Sequence, residues 1–350
     1  MLALRSTSFA SLVIASVVAF ALSATGCGGA GSGDFGKVGD GGASDPDDGG
    51  ASMSPPASGD EGGVATSPPP DATTGSVGSD GGPTSGPGSI WKPSSGAPIH
   101  FHWELADSFR VPNDVIPGQG PIVYDIDGEN NTASTVAALH ALGPDVKVVC
   151  YVDVGTYEVG RSDSSKFPAS VLGSGVAGLP GEKWLDVRNQ ATLLPFMKDR
   201  FSSWCKDKGF DGVEPDNLDG WTNDPGFPIT EAENVSYDLA IASAVHALGL
   251  SVGVKNLVAS LSTANIPSVE NGFDWALTEH CFEYGQCDSY TQSFAAKGKA
   301  TWDVEYTGTP SCPQAATAHL NAQLRDMDLV APGGGGYVYD PCIPESQTSW

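Results

Sequence analysis

Carboxylates recur at one end of a series of apolar runs in this chain. Asp125 and Asp127 close PIVYDID, and Tyr151 and Asp153 lie in VKVVCYVDVG. Glu214, Asp216 and Asn217 close FDGVEPDN, Lys255 and Asn256 close LSVGVKN, Glu279 closes FDWALTEH, and Glu305 and Tyr306 close ATWDVEY. Capping of a following helix by Asp accounts for one or two such placements, but not for a whole series. Two carboxyl groups facing each other across a cleft are what glycosidic cleavage requires. One is ionised, to capture the anomeric centre or activate water, and the other is protonated, to donate to the leaving oxygen. Burial and mutual repulsion push two such pKa values apart, so one scaffold supplies both states. Aromatic rings suit the faces of sugars, and Trp103, Trp221 and Tyr284 fall near the same ends as Tyr151 and Tyr306. Lys255 is the only base among the strand-end residues.

Positioning such a series needs a repeated element. The apolar runs predict strands over 121–127, 146–155, 182–187, 210–217, 250–256, 273–280, 300–306 and 329–336. Helical segments are predicted over 132–142, 193–209, 233–249 and 314–327, the second and third stopped by Gly209 and Gly249. His100 and His102 in IHFHW occupy alternate positions on a further extended run. Eight alternations of near-continuous apolar strands and helices in about 260 residues predict an α/β fold, a (β/α)8 TIM barrel forming one catalytic domain over 91–350. A doubly wound open sheet is the alternative, but no GxGxxG follows the first strand. In a barrel the chemistry lies at the C-terminal ends of the strands, where the carboxylates fall.

The remainder of the chain is of another kind. Arg5 precedes an apolar stretch from Leu12 to Leu22, and small residues lead to Ala24-Thr25-Gly26-Cys27. That stretch is too short for a spanning helix and reads as an export signal. The cysteine after Ala-Thr-Gly resembles a bacterial lipobox, so 1–27 is expected to be a lipoprotein signal peptide with Cys27 acylated. Ordinary signal cleavage beside a free cysteine is the competing reading. Residues 28–90 are almost entirely Gly, Ser, Pro, Ala, Thr and Asp, with one aromatic, Phe35, and one base, Lys37. Such a stretch cannot bury enough apolar surface to offset the entropy of ordering, and is expected to be a disordered acidic linker. The net charge of -25 disfavours nucleic acid and favours cationic partners. With Cys27 set aside, six of the seven cysteines remain, an even number in an exported chain, which predicts disulfides. Cys281 with Cys287 closes a short loop. Cys312 with Cys342 and Cys150 with Cys205 follow by elimination. Zinc is the competing use, but neither CxxC nor HxxxH occurs, so no metal and no other cofactor is expected.

Several blocks resemble a known family. GFDGVEPDNLDGW (209–221), YDID, the ExxR of Glu158 and Arg161, GEKWLDV, SVGVKN, TEHCFEYGQC (278–287) and VEY stand in order between about 100 and 306. Together they are similar to glycoside hydrolase family 114, whose activity is endo-α-1,4-polygalactosaminidase and whose fold is a (β/α)8 barrel. The resemblance implies that Asp216 is the nucleophile and Glu279 the acid/base; Asp125, Tyr151, Asn217, Lys255, Asn256, Tyr284 and Glu305 are the candidates for binding the sugar. Local hydrogen bonding is the competing role for these residues, and Glu305 is the rival acid/base. The family usually has Asn-Glu-Gln-Cys where Thr278-Glu279-His280-Cys281 stand here, and Lys-Asn-Asp where Lys255-Asn256-Leu257 stand. Both carboxylates are kept, so the changes bear on subsites. The expected protein is a secreted or lipid-anchored hydrolase at the outer membrane or cell surface. Its expected partner is a cationic polysaccharide of α-1,4-linked galactosamine. An α-glycosidase of other specificity and a non-catalytic carbohydrate-binding lipoprotein are the alternatives.

Overall fold

The computed structural model describes residues 89–96, 98–115, 123–308 and 310–342. The predicted signal peptide, Cys27 and all but the last two residues of the predicted linker lie outside this range. Twelve strands follow in chain order: β1 (Phe101–Glu104), β2 (Val123–Asp127), β3 (Lys147–Asp153), β4 (Thr156–Glu158), β5 (Leu172–Gly175), β6 (Glu182–Leu185), β7 (Gly212–Asp216), β8 (Ser251–Lys255), β9 (Trp275–Glu279), β10 (Thr301–Glu305), β11 (Asn321–Arg325) and β12 (Tyr339–Pro341). The helices are α1 (Ala133–His140), α2 (Gln190–Arg200), α3 (Glu231–His246), α4 (Ile266–Gly272), α5 (Cys287–Gln292) and α6 (Cys312–Ala318). Among the described residues no helix is long and apolar enough to cross a membrane.

One curled sheet runs β1-β2-β3-β7-β8-β9-β10-β11-β12, all parallel except β12, which pairs antiparallel with β11. Its two ends approach each other. The Ile99 N–H donates to Asn321 Oδ1 at 3.0 Å, and the His102 ring meets Tyr339 edge-on at 5.5 Å. The eight parallel strands and their helices make the TIM barrel that the sequence predicts, while β4, β6 and β5 form a small antiparallel sheet beside it. Local signals set the helix ends. Thr132 caps α1 by accepting from the Thr135 N–H, and Thr230 with Glu233 forms a capping box on α3.

The barrel interior is aromatic and aliphatic at its lower end. Phe101 stacks on Trp302 with centroids 5.1 Å apart, and Trp275 meets Trp302 edge-on at 5.4 Å. Val123, Val149, Leu277 and Val304 complete this inner cluster. Each such side chain contributes about 1.5–3 kcal/mol by leaving water. Gly253 is required here, since a Cβ would lie 2.1 Å from the Trp275 indole. A second cluster, between the outer face of the barrel and its helices, includes Tyr124, Ile126, Val152, Leu193, Met197, Ile241 and Val245.

Three predicted elements are placed differently. EKWLDV contributes β6 to the side sheet rather than a barrel strand. Its Glu182 and Lys183 are not buried, whereas barrel strands are covered on both faces. The run 329–336 consists of turns, and the eighth barrel strand is β11, inside the predicted helix 314–327. His319 takes a left-handed φ of 56° and stops α6 at Ala318, which frees the following residues to extend. The first barrel strand is β1, within IHFHW. One strand is therefore gained before the predicted third and that third is lost, so strands four to seven keep their ordinal places.

The three expected disulfides form: Cys150–Cys205, Cys281–Cys287 and Cys312–Cys342. The first ties β3 to the turn after α2 across 55 residues of chain, a closure that contributes about 4 kcal/mol in the chain-entropy picture. Non-reducing denaturation of the domain should expose no free thiol, and peptide mass mapping should return these three pairs. Two or more free thiols would contradict this bonding pattern.

Candidate active site

The inward positions at the ends of β7, β8 and β9 bring Asp216, Lys255 and Glu279 together. The Lys255 ammonium lies 3.2 Å from Asp216 Oδ1, 2.9 Å from Glu279 Oε2 and 3.6 Å from Glu214 Oε1. Its Nζ also sits 4.6 Å from the centroid of the Trp103 ring, a favourable cation–π placement. Asp216 accepts from the Tyr151 hydroxyl at 3.0 Å and from the Asn217 N–H at 2.8 Å. Glu279 accepts from Asn256 Nδ2 at 2.6 Å and from the Tyr306 hydroxyl, while its own N–H donates to Asn256 Oδ1 at 2.8 Å. Each carboxylate is thus held by a cation, a phenol and an amide.

The electrostatics follow from these contacts. Burial alone would raise the Glu279 pKa, but Lys255, Tyr306 and Asn256 hold it below the ordinary carboxylate value. Burial alone would discharge Lys255, but Asp216, Glu279 and Glu214 together keep its ammonium well above the ordinary lysine value. The shared ammonium also limits the separation of Asp216 Oδ1 and Glu279 Oε2 to at most about 6 Å, short of the spacing of inverting glycosidases.

The residue after each strand is conformationally strained. Asn217, Asn256 and His280 take left-handed φ values of 61°, 52° and 57°. Asn tolerates this region better than most side chains because its amide bonds locally. Such strain recurs where a site must turn a strand sharply behind a reacting group. Asn256 uses the turn to clamp Glu279, and Asn217 uses it to donate from Nδ2 to Asp153 Oδ2 at 2.9 Å. Gly155 permits the close approach, since a Cβ there would stand 1.7 Å from the Asn217 carbonyl oxygen. Pro215 has no N–H to give, and the ladder from β7 to β8 ends two residues before it, at Val213. The strands part at the level where Lys255 reaches Asp216.

The other predicted site residues divide into two groups. Tyr151, Asn217, Lys255 and Asn256 touch Asp216, Glu279 or their immediate supports. Asp125 is fully buried beneath them. Glu305 alternates with Trp302 and Val304 and so lies on the opposite face of β10, where it accepts from the Phe282 N–H at 2.8 Å. Tyr284 is exposed, its ring 5.2 Å from His280. Asp127 is paired with Arg161 Nη1 at 2.6 Å, and Arg161 also grips Glu158 through two nitrogens. Arg200 donates to the Asp153 carbonyl oxygen at 2.8 Å. Two cations therefore enter from outside the strands, and the rim is less acidic than its strand ends alone imply. Among the described residues, His280, Glu283 and Glu305 offer metal-type ligand atoms within 4.8 Å of one another. His280 Nδ1 and Thr307 Oγ1 already bond Glu283, at 2.9 and 2.7 Å.

The specific contribution of Tyr306 escapes a reading of the sequence. It carries a direct hydrogen bond to Glu279, whereas Glu305 beside it drew the attention as a carboxylate. The alternation Trp302, Val304, Tyr306 contains the signal, but its phase relative to the barrel axis does not follow from one strand.

The model of a protein family described as glycoside-hydrolase family GH114 matches residues 82–345 of this chain. Among solved structures, Ega3 of Aspergillus fumigatus in complex with galactosamine is 32% identical, over 69% of this chain and 96% of that one, with a TM-score of 0.60. The glycoside hydrolase domain of PelA from Pseudomonas aeruginosa is 13% identical over 68% of this chain and 98% of that one, with a TM-score of 0.47. A comparison with curated proteins finds no match.

Proposed function

The chain belongs to glycoside-hydrolase family GH114, and from that premise we propose that it hydrolyses α-1,4-linked polysaccharide containing galactosamine, with retention of configuration. The observation that carries this reading is the Asp216–Lys255–Glu279 cluster, two carboxylates sharing one ammonium at the C-terminal ends of barrel strands. A relative solved with galactosamine supports the sugar class.

In the proposed mechanism Asp216 attacks the anomeric carbon while Glu279 protonates the departing glycosidic oxygen. Glu279 then takes a proton from water, which displaces Asp216 from the sugar. In the free site Glu279 is held ionised, so it must gain a proton as substrate binds. Sugar hydroxyls that accept from Lys255 loosen its hold on Glu279 and let that carboxyl protonate. Lys255 therefore stabilises the resting site and, on this reading, responds to the occupant. Export follows from the signal-like residues 1–27, and anchoring by acylated Cys27 belongs to the same proposal. The three disulfides suit an oxidising compartment.

The test is incubation with partially deacetylated polygalactosamine, measuring reducing ends and the anomer first released. An α product supports retention, a β product replaces it with inversion, and no new reducing ends on this polymer would remove the substrate class. Charge gives a second check. The deacetylated polymer is a polycation, and attraction between exposed charges is screened within about 10 Å at 0.1 M salt. Apparent binding of the cationic polymer should weaken as salt rises, and that of a fully acetylated oligomer should change much less. Equal salt responses would show that the acidic rim does not select charge.

A further inference from the structure

We infer that Asp125 and Glu214 share a single proton beneath the catalytic carboxylates, and that the pair positions Lys255 by leaving its charge committed to Asp216 and Glu279. The inference rests on the catalytic roles proposed above, but its test reads no hydrolysis. Asp125 comes from β2 and Glu214 from β7, with β3 between them in the sheet, and both side chains point into the barrel and are wholly buried. Their carboxyl groups lie close enough to interact directly. Neither oxygen of Asp125, and not Oε1 of Glu214, meets an N–H or O–H from any other described residue. Two carboxylates in contact, with no donor between them, do not both ionise in a sealed, weakly polarisable site. One proton between them supplies the missing donor, as in other paired acids.

The groups facing the pair leave no other source of compensation. From β1, Trp103 Nε1 donates to Glu214 Oε2 at 3.0 Å. From β3, the Tyr151 hydroxyl is spent on Asp216. From β7 itself, Asp216 adds negative charge, and Glu279 on β9 adds more. The single facing ammonium, Lys255 on β8, is nearer to Glu279 (2.9 Å) and Asp216 (3.2 Å) than to Glu214 (3.6 Å). Four carboxyl groups thus face one cation. With a proton held, the pair carries one negative charge and Lys255 keeps its shorter contacts. With the proton lost to solvent, Glu214 becomes a full competitor for that ammonium. Burial pushes Glu214 up to about 7, and burial together with Glu214 pushes Asp125 well above the ordinary carboxylate value.

The sign of the stability effect is defined. An unfolded Glu loses its proton near 4.5, whereas burial carries Glu214 up to about 7 in the folded protein. Between these values the folded state binds more protons, so stability falls as pH rises through the window. Glu214→Gln and Asp125→Asn each copy the protonated pair, because an amide supplies the donor without ionising. In the whole protein at pH 7, each variant should lack one infrared carboxylic-acid band that the wild type shows. Each should also show a shallower fall of melting temperature from pH 4.5 to 7. The 15N resonance of the Lys255 ammonium should shift with this titration in the wild type and stay fixed in both amide variants. Glu214→Ala, which removes the donor and acceptor, should not reproduce the amides. The inference is overturned if both amides keep the wild-type band and slope, or if the Lys255 signal ignores the titration. It is equally overturned if neither amide folds, since each reproduces the state claimed to be native.

Discussion

Asp216→Asn and Glu279→Gln are each expected to lower kcat by at least about 100-fold, the lower end for removal of a general acid or base. Both changes are nearly isosteric. Asn at 216 still accepts from Tyr151 and Gln at 279 still accepts from Tyr306, so the melting temperature should remain well above the assay temperature. What is lost is the negative charge that captures the anomeric centre in one case and the titratable proton in the other. Glu305→Gln is the comparison that separates this assignment from a strand-seven alternative. Glu305 lies across β10 from Val304 and Trp302, bonded to the Phe282 N–H, so its amide should retain kcat within about tenfold of the wild type, less than an acid/base group contributes. Near-normal turnover of either principal variant would remove that residue from the mechanism. Loss of turnover in the Glu305 variant alone would move the acid/base to β10.

Lys255→Met should be the most disruptive single change to the site that leaves Asp216 and Glu279 in place. The ammonium is wholly buried and is the common partner of Asp216, Glu279 and Glu214. Removing one member of a buried charge network leaves the others uncompensated and costs about 3–5 kcal/mol. Met fills similar volume, so the loss is electrostatic rather than a cavity. The pH response distinguishes this from simple destabilisation. In the wild type Lys255 helps hold Glu279 below the ordinary carboxylate value. Without that ammonium, burial dominates and the Glu279 pKa rises. An acid must be protonated to act, so the alkaline limb of kcat/KM should move to higher pH in the variant while the maximum falls. Thermal melting and a pH profile on the same preparation check both parts. An unmoved alkaline limb would mean that Lys255 does not control Glu279.

The two effects are connected through the geometry of the strand ends. Asn256 clamps Glu279 from the residue directly after Lys255, and Tyr306 approaches from the end of the neighbouring strand β10. The strained turns at Asn217, Asn256 and His280 keep those donors aimed. A change that relaxes a turn is therefore felt first as a change in protonation of the carboxylate it serves.

The sequence by itself determined the barrel and the strand ends at which its carboxylates gather, and it singled out Asp216 and Glu279, which the fold brings to one ammonium. Near-continuous apolar strands between helices have few other arrangements. Residues such as Glu214 and Asp216, two apart on one strand, must share a face. An even cysteine set with one short loop singled out Cys281–Cys287, which forms; the other four cysteines admit three connectivities, and the expected Cys150–Cys205 and Cys312–Cys342 form as well. Tertiary structure alone decided the rest. Whether Glu305 or Tyr306 enters the cleft depends on the phase of β10 against the barrel axis, and a shift of one residue exchanges them. EKWL joins the side sheet, and β11 lies inside a predicted helix, because short amphipathic runs fit either period until a neighbour covers one face. The meeting of Lys255 with three carboxylates, and of Asp125 with Glu214 across an intervening strand, joins residues from separate strands. No spacing along the chain encodes those distances, because they are set by how the sheet curls on itself.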